Sequence, residues 1–148
     1  MANDGGIGRL QARLAAIPAD VKAAALPAVK RQAEAMADTM RGLVPVDSGD
    51  LRKSITVTPA GQQTPAYSQP GGSMVVPENA TAVTVGNADV RYGHLVEYGH
   101  GAAGFSSAAA PAKPFFWPSV RLHQAKAKRA IKSAIGKAAK KNWGKASP

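Results

Sequence analysis

Apolar residues recur at every third or fourth position between residues 19 and 43, a spacing that gathers side chains on one face of an α-helix. Asp38 and Arg41 fall outside this apolar stripe and are expected to face solvent. Pro27 either begins the helix from its first turn or kinks it, and Pro45 prevents its continuation. The stripe comprises Leu26, Val29, Ala33, Met36, Met40 and Leu43. The pattern predicts a long amphipathic helix.

Apolar and polar residues alternate over residues 55–58 and 81–87, as they do in β-strands with one buried face. Residues 92–98 are a third strand candidate, although the same residues also fit a turn of helix. Four prolines within residues 59–80 indicate an extended arm or a long loop between the first two strands. Near the beginning of the chain, the pattern predicts a shorter helix over residues 7–16.

The last part of the chain combines a segment rich in small residues with a lysine-rich helix. Residues 99–114 predict a flexible loop, and residues 115–145 predict a basic C-terminal helix. The thin apolar stripe of this helix comprises Val120, Ala127, Ile131, Ala134, Ile135 and Ala138. Together the elements predict one α+β domain over residues 1–148, with a long N-terminal amphipathic helix and a small, mainly antiparallel sheet.

The amino-acid composition indicates how large the core can be and which kinds of site and location are excluded. Much of the 45% hydrophobic fraction is alanine, and aromatic residues make up only 5% of the 148 residues. Burial stabilises a protein by roughly 25 cal/mol per Å² of apolar area, and an alanine side chain buries little area. We therefore expect a small core, with oligomerisation supplying part of the missing burial. The absence of cysteine excludes disulfides, cysteine-based zinc sites and thiol nucleophiles. Without a signal-peptide pattern or a membrane-spanning apolar run, the sequence predicts a soluble intracellular protein without a membrane partner.

Net charge is +10, and its distribution is uneven, since Glu97 is the last acidic residue. The basic side chains of the predicted last helix are candidates for contact with DNA phosphates or an acidic partner, or they form a solvated face. These residues are Lys126, Lys128, Arg129, Lys132, Lys137, Lys140 and Lys141. Few aromatic residues lie among them, which argues against stacking on single-stranded bases.

Candidate catalytic chemistry is sparse. His94 and His100 flank Glu97, but His94 and Glu97 would share a face only on a helix. A lone pair of this kind is more often structural than a metal site. The chain contains no G-x-S-x-G turn, no phosphate-binding glycine loop and no clustered carboxylates. We therefore predict a non-enzymatic protein without metal or cofactor.

Three separated segments resemble a known family. They are VPVDSGDLRKSI at 44–55, YGHLVEYGH at 92–100 and KPFFWPSV at 113–120, in the family's order and spacing. Together they resemble the small tail-component family of Hong Kong-type lambdoid phages, whose members act as neck or tail-completion proteins. Ser119 replaces the usual alanine, and residues 59–80 form a longer segment than is typical. The matching positions are Pro45, Val46, Asp47, Ser48, Gly49, Leu51, Ser54, Ile55, Tyr92, Val96, Glu97, Tyr98, Gly99, Pro114, Phe115 and Pro118.

The resemblance implies a non-catalytic ring subunit, six- or twelve-fold, in the virion neck where head and tail join. Its implied partners are further copies of itself and adjacent connector, stopper, tail-terminator or tail-tube proteins. Such rings assemble in the host cytoplasm and let DNA pass. The alternatives are a small basic accessory protein that binds DNA non-specifically, and a hydrolase using His94 and Glu97.

The motif residues are also expected to have simple structural roles. Asp47 and Gly49 are expected to form a turn or a helix cap. Glu97 is expected to pair with an arginine such as Arg52 or Arg91. Residues 115–117 are expected to fill the core where the last helix docks, or alternatively to contact a partner.

Overall fold

The computed structural model describes residues 19–101 and 109–145, with the backbone alone at residues 20 and 142–145. It has the predicted α+β architecture, while the helix predicted over 7–16 lies outside the described residues. The elements are α1 (Ala19–Leu43), α2 (Asp50–Lys53), β1 (Thr56–Thr58), β2 (Ala82–Thr84), α3 (Gly93–Tyr98) and α4 (Phe116–Lys145). No helix in this described part of the chain has the length and apolarity required to cross a bilayer.

The long first helix begins and ends where the apolar pattern predicts, and Pro27 lies within it. Of the predicted stripe only Ala33 and Met40 are buried, whereas Leu26, Val29 and Met36 are half-buried. The other buried positions of the helix are Val21, Ala25, Ala28 and Ala37. Leu43 departs from the prediction, because its side chain is 51% exposed at the last position of the helix. The buried position that follows is taken by Val44, whose N–H continues the helical bonding to the Met40 carbonyl at 2.9 Å.

The sheet has two strands. β1 and β2 pair antiparallel in the register Thr56↔Thr84, Val57↔Val83 and Thr58↔Ala82. The third strand candidate is helical instead, since residues 93–98 form α3. A helix turns Gly93 and Glu97 inwards together, at a spacing of four residues, whereas a strand would alternate its side chains.

The segment at residues 59–80 folds back on itself as a compact loop. Val76 exchanges backbone hydrogen bonds with its two opposite residues, accepting from Gly61 at 2.9 Å and donating to Gln62 at 2.8 Å. Farther along, Gln69 and Val85 bond each other in both directions, at 2.8 and 3.0 Å. The loop is thereby joined to the end of β2, and its position beside α3 is fixed.

The core lies where α1, the sheet and the beginning of α4 meet. It contains Ala37, Met40, Val44, Leu51, Ile55, Val85, Val90, Phe115 and Phe116. His123 Nε2 lies 2.7 Å from Thr39 Oγ1, which joins an early turn of α4 to the last turns of α1. The end of α1 therefore lies beside the beginning of α4, and the two long helices pack against each other. Beyond Ser119 the predicted apolar stripe of α4 is only half-buried, and Ile135 is exposed.

Candidate functional site

Glu97 joins α3 to the beginning of α4. Its Oε2 accepts the backbone N–H groups of Phe115 at 2.7 Å and Phe116 at 2.9 Å, and its Oε1 accepts that of Trp117 at 3.1 Å. The first N–H groups of a helix have no partner within the helix, and a carboxylate also complements the positive end of the helix dipole. The buried Glu97 therefore caps α4 from eighteen to twenty residues away in sequence.

The predicted ion pair of Glu97 with Arg52 or Arg91 is wrong. Both carboxylate oxygens are occupied by backbone donors, and the guanidinium of Arg91 lies over the Tyr67 ring instead. His94 is exposed, while Glu97 three residues later is buried. Among the residues that the structure describes, no three His, Asp or Glu side chains are grouped as metal ligands would be.

The segment at 44–55 is held by a turn and a buried serine. Gly49 has φ 84° at the beginning of α2, as expected for a turn glycine, and Ser48 Oγ donates to Asp50 Oδ2 at 2.7 Å. Ser54 Oγ donates to the Leu51 carbonyl at 2.7 Å and accepts the Gly86 N–H at 3.1 Å. This second bond fastens α2 to the residues that follow β2.

Gly99 is required by close packing as well as by its backbone. It has φ 71°, and a Cβ at this position would lie 2.7 Å from the Ala112 backbone nitrogen. The neighbouring His100 exchanges backbone hydrogen bonds with Ala110, at 3.0 and 2.9 Å. Residues 99–100 therefore pack tightly against residues 110–112. The intervening residues 102–108 lie outside the described residues.

The three resembling segments meet in space. A Cβ on Gly93 would contact the Leu51 side chain at 3.4 Å, which places α3 against α2. The cap from Glu97 then attaches residues 115–117 to α3. Phe115 and Phe116 fill the core as predicted, with Phe115 fully buried. Pro114 is exposed and Pro118 is half-buried at the same junction.

Trp117 differs from the two phenylalanines. Its side chain is 39% exposed, and its indole N–H donates to the Tyr98 hydroxyl at 2.7 Å. Tyr92, the residue before α3, and Leu95 and Tyr98 within α3 also remain exposed, at three-residue intervals. Arg91 connects this row to Tyr67, with its guanidinium carbon 3.7 Å from the centre of the tyrosine ring.

These exposed residues define one surface, which we name the aromatic face: Tyr67, Arg91, Tyr92, Leu95, Tyr98 and Trp117. A pocket of about 80 Å³ adjoins this surface at Tyr98 and Trp117, and its lining also includes Pro70 and His94, which lie outside the aromatic face. All three tyrosines of the chain belong to this surface. The sequence alone did not identify it, although the spacing of Tyr92, Leu95 and Tyr98 would have indicated it once α3 was taken as helical.

The basic residues of α4 form a second candidate surface. All seven are exposed, which fits both a solvated face and a surface that contacts DNA or an acidic partner: Lys126, Lys128, Arg129, Lys132, Lys137, Lys140 and Lys141. At 100° per residue, Lys128, Arg129 and Lys132 lie opposite the stripe that contacts α1. The ion pairs within the described ranges, Arg41–Asp38 and Lys53–Asp50, include none of these cations.

Comparison of the sequence with known protein families identifies one matching family. A family model described as "Bacteriophage HK97-gp10, putative tail-component" matches residues 8–99, more than half of the chain. The match includes the motif segments at 44–55 and 92–99 and ends before residues 113–120. No curated protein matches the chain, and no solved structure does.

Proposed function

We propose that this chain, which belongs to the HK97-gp10 tail-component family of bacteriophages, is a non-catalytic subunit of the neck ring that joins the head connector to the tail. Family membership gives the broader role, that of a phage structural protein related to the tail and a component of the virion. The neck position, a six- or twelve-fold ring and assembly in the host cytoplasm are the finer parts of the proposal. Its partners would be further copies of the chain and the adjacent connector, stopper, tail-terminator or tail-tube proteins.

The observation that carries the proposal is the aromatic face. Protein interfaces are enriched in tyrosine, tryptophan and arginine at the positions where binding energy concentrates. Here Tyr98 is 67% exposed although the chain has few aromatic residues with which to build a core. Placing its tyrosines on one exposed surface favours a protein whose large side chains serve assembly.

The packing of α4 supports the same role. Beyond Ser119 its inward residues are half-buried, and several of them are alanines that provide little apolar contact area. Neighbouring subunits in a ring would cover more of this helix. The small core is therefore consistent with a protein that completes its burial on assembly.

Removing the gene from the phage and complementing it in trans tests the proposal. We expect electron micrographs of the deletion to show DNA-filled heads separated from tails, with joined particles restored by the wild-type gene. A reconstruction of the complemented particle should place the chain as a ring between connector and tail. Complete, infectious particles without the protein would contradict a neck role. A position at the distal end of the tail would contradict the neck position but not the broader role as a tail-related structural protein.

A second candidate function, contact with DNA, is favoured by the exposed cations of α4. Neutralising phosphates releases counterions, so log K should fall with log salt by about 0.9 per phosphate contacted. We expect glutamine at Lys128, Arg129 and Lys132 to reduce that slope in fluorescence-anisotropy titrations with duplex DNA. The matched control replaces Lys22, Lys30 and Arg31, which are exposed cations of the same types on α1. Equal slopes for the two triple variants would argue against a DNA-contacting role for α4.

A further inference from the structure

Arg91 is held in place without an anionic partner among the residues that the structure describes. Its guanidinium lies over the Tyr67 ring at 3.7 Å, and its Nε donates to the Ala88 carbonyl at 2.9 Å. No hydrogen bond or ion pair within the described residues uses its two terminal nitrogens. An exposed arginine normally samples many rotamers, whereas this one is fixed with two donor groups free, the geometry that receives a carboxylate in bidentate fashion.

Tyr67 contributes to this arrangement through an unusual backbone. It has φ 60°, a left-handed conformation that is uncommon for residues other than glycine. Such conformations persist where the surrounding structure enforces them, and they concentrate at functional positions. In this case the conformation accompanies a ring that stays 56% exposed beneath Arg91.

The chain also carries a surface of complementary chemistry at the end of α1, which we name the acidic tip: Leu43, Val46 and Asp47. Leu43 and Val46 are 51% and 65% exposed, although both are large apolar residues. Asp47 is exposed and takes part in no hydrogen bond or ion pair within the described residues. By contrast, the nearby carboxylates Asp38 and Asp50 already have basic partners in Arg41 and Lys53.

We propose that the acidic tip of one copy of this chain docks on the aromatic face of the next copy, with the Asp47 carboxylate paired to the Arg91 guanidinium. Val46 and Leu43 would pack against Tyr92 and Tyr98 on either side of this ion pair. The inference rests on the proposed ring, and it names the two surfaces that join neighbouring subunits.

Local charge complementarity favours a second copy of the chain as the partner that docks on the aromatic face. Copies with a net charge of +10 repel each other, so a contact between them requires local pairing of opposite charges. The Asp47 carboxylate and the terminal nitrogens of Arg91, which have no partner within the described residues, provide such a pair. Two different surfaces joined in this way make a heterologous contact, the type that repeats around a ring until it closes.

Crosslinking tests the contact directly, because the 148-residue chain has no cysteine of its own. Val46→Cys and Tyr92→Cys variants are purified separately, mixed, and treated with a short bis-maleimide. We expect a crosslinked dimer that contains one chain of each variant. The matched control mixes Val46→Cys with Leu122→Cys, since Leu122 is 69% exposed on α4 and lies outside the aromatic face. A yield from the 46–92 mixture no higher than that of the control would overturn the proposal.

A charge-exchange cycle tests the ion pair. Sedimentation equilibrium of the full chain should show self-association weakened about tenfold or more by Asp47→Arg and by Arg91→Asp singly. The double variant should recover most of the loss, because the two charges exchange places while the attraction remains. Additive losses in a double variant with normal circular dichroism would overturn the pairing.

The outcomes separate this inference from the proposed function. Crosslinks that fail while the protein still forms a ring in particles reject the acidic tip as the contact and leave the neck role intact. A ring seen to join through other surfaces has the same effect. If Arg91→Asp leaves self-association unchanged but abolishes binding to a purified connector or tail-tube protein, the aromatic face serves a different partner and the inference is wrong.

Discussion

Replacing Glu97 with glutamine should destabilise the protein through the beginning of α4. The glutamine oxygen can still accept the N–H groups of Phe115 and Phe116, but its NH₂ group then faces the Trp117 N–H, which Glu97 accepts at 3.1 Å. One charge-assisted hydrogen bond and the favourable interaction with the helix dipole are lost, which together amount to about 2–3 kcal/mol. Glu97→Ala leaves all three donors without their acceptor and should cost about 3–6 kcal/mol. Against a typical total stability of about 5–15 kcal/mol, either loss is measurable.

Urea unfolding followed by circular dichroism measures this loss, and amide hydrogen exchange localises it. We expect the amides of residues 115–117 in Glu97→Gln to exchange at least about tenfold faster, in line with a local loss above roughly 1.4 kcal/mol. Glu78→Gln, a change at an exposed glutamate, is the control. Arg52→Ala should also leave stability nearly unchanged, since Arg52 does not pair with Glu97. A Glu97→Gln variant within about 0.5 kcal/mol of the wild type, with unchanged exchange at 115–117, would refute the capping role.

Four further substitutions probe the same framework by urea unfolding. Gly99→Ala should destabilise by about 1–3 kcal/mol, because its Cβ would lie 2.7 Å from backbone and its φ is positive, whereas Gly42→Ala in the open last turns of α1 should stabilise by about 0.5–1 kcal/mol. Ser54→Ala should cost about 1–3 kcal/mol by leaving the Gly86 N–H unpaired, and an equal effect from Ser133→Ala on exposed α4 would contradict that reasoning. Met40→Ala in the fully buried core should cost about 2–5 kcal/mol, and a loss below about 1 kcal/mol would show that the core is looser than described.

Local sequence patterns predicted the long helices well, because the helical repeat is visible in the spacing of apolar residues three and four positions apart. The bounds of α1, the burial of Ala33 and Met40, and the exposure of the α4 lysines agree with the sequence. What the periodicity missed is how burial varies around and along α1. At 100° per residue Leu43 points about 90° away from the centre of Ala37, Met40 and Val44, the buried positions at this end of α1, and its side chain is exposed.

Contacts between distant segments could not be predicted in this way. The cap on α4 joins residues about twenty positions apart, and the Ser54 bond to Gly86 joins residues thirty-two positions apart. An acidic residue such as Glu97 most simply predicts a basic partner, since the sequence does not show that backbone N–H groups will be presented to it. The helical state of α3 has the same origin, because it depends on tertiary packing that overrides an ambiguous local pattern.

The motif segments therefore contain two physically different kinds of residue. Leu51, Ser54, Glu97 and Gly99 are engaged inside the molecule, and each has a contact that explains why that side chain or that glycine is there. Val46, Asp47, Tyr92 and Tyr98 lie in the same segments but remain exposed, and folding of the single chain does not account for the apolar and aromatic ones among them. Because the internal contacts fix where the exposed residues stand, substitutions of the first kind should lower stability and assembly together. Substitutions of the second kind should lower assembly at unchanged stability, and that separation is what a subunit contact requires.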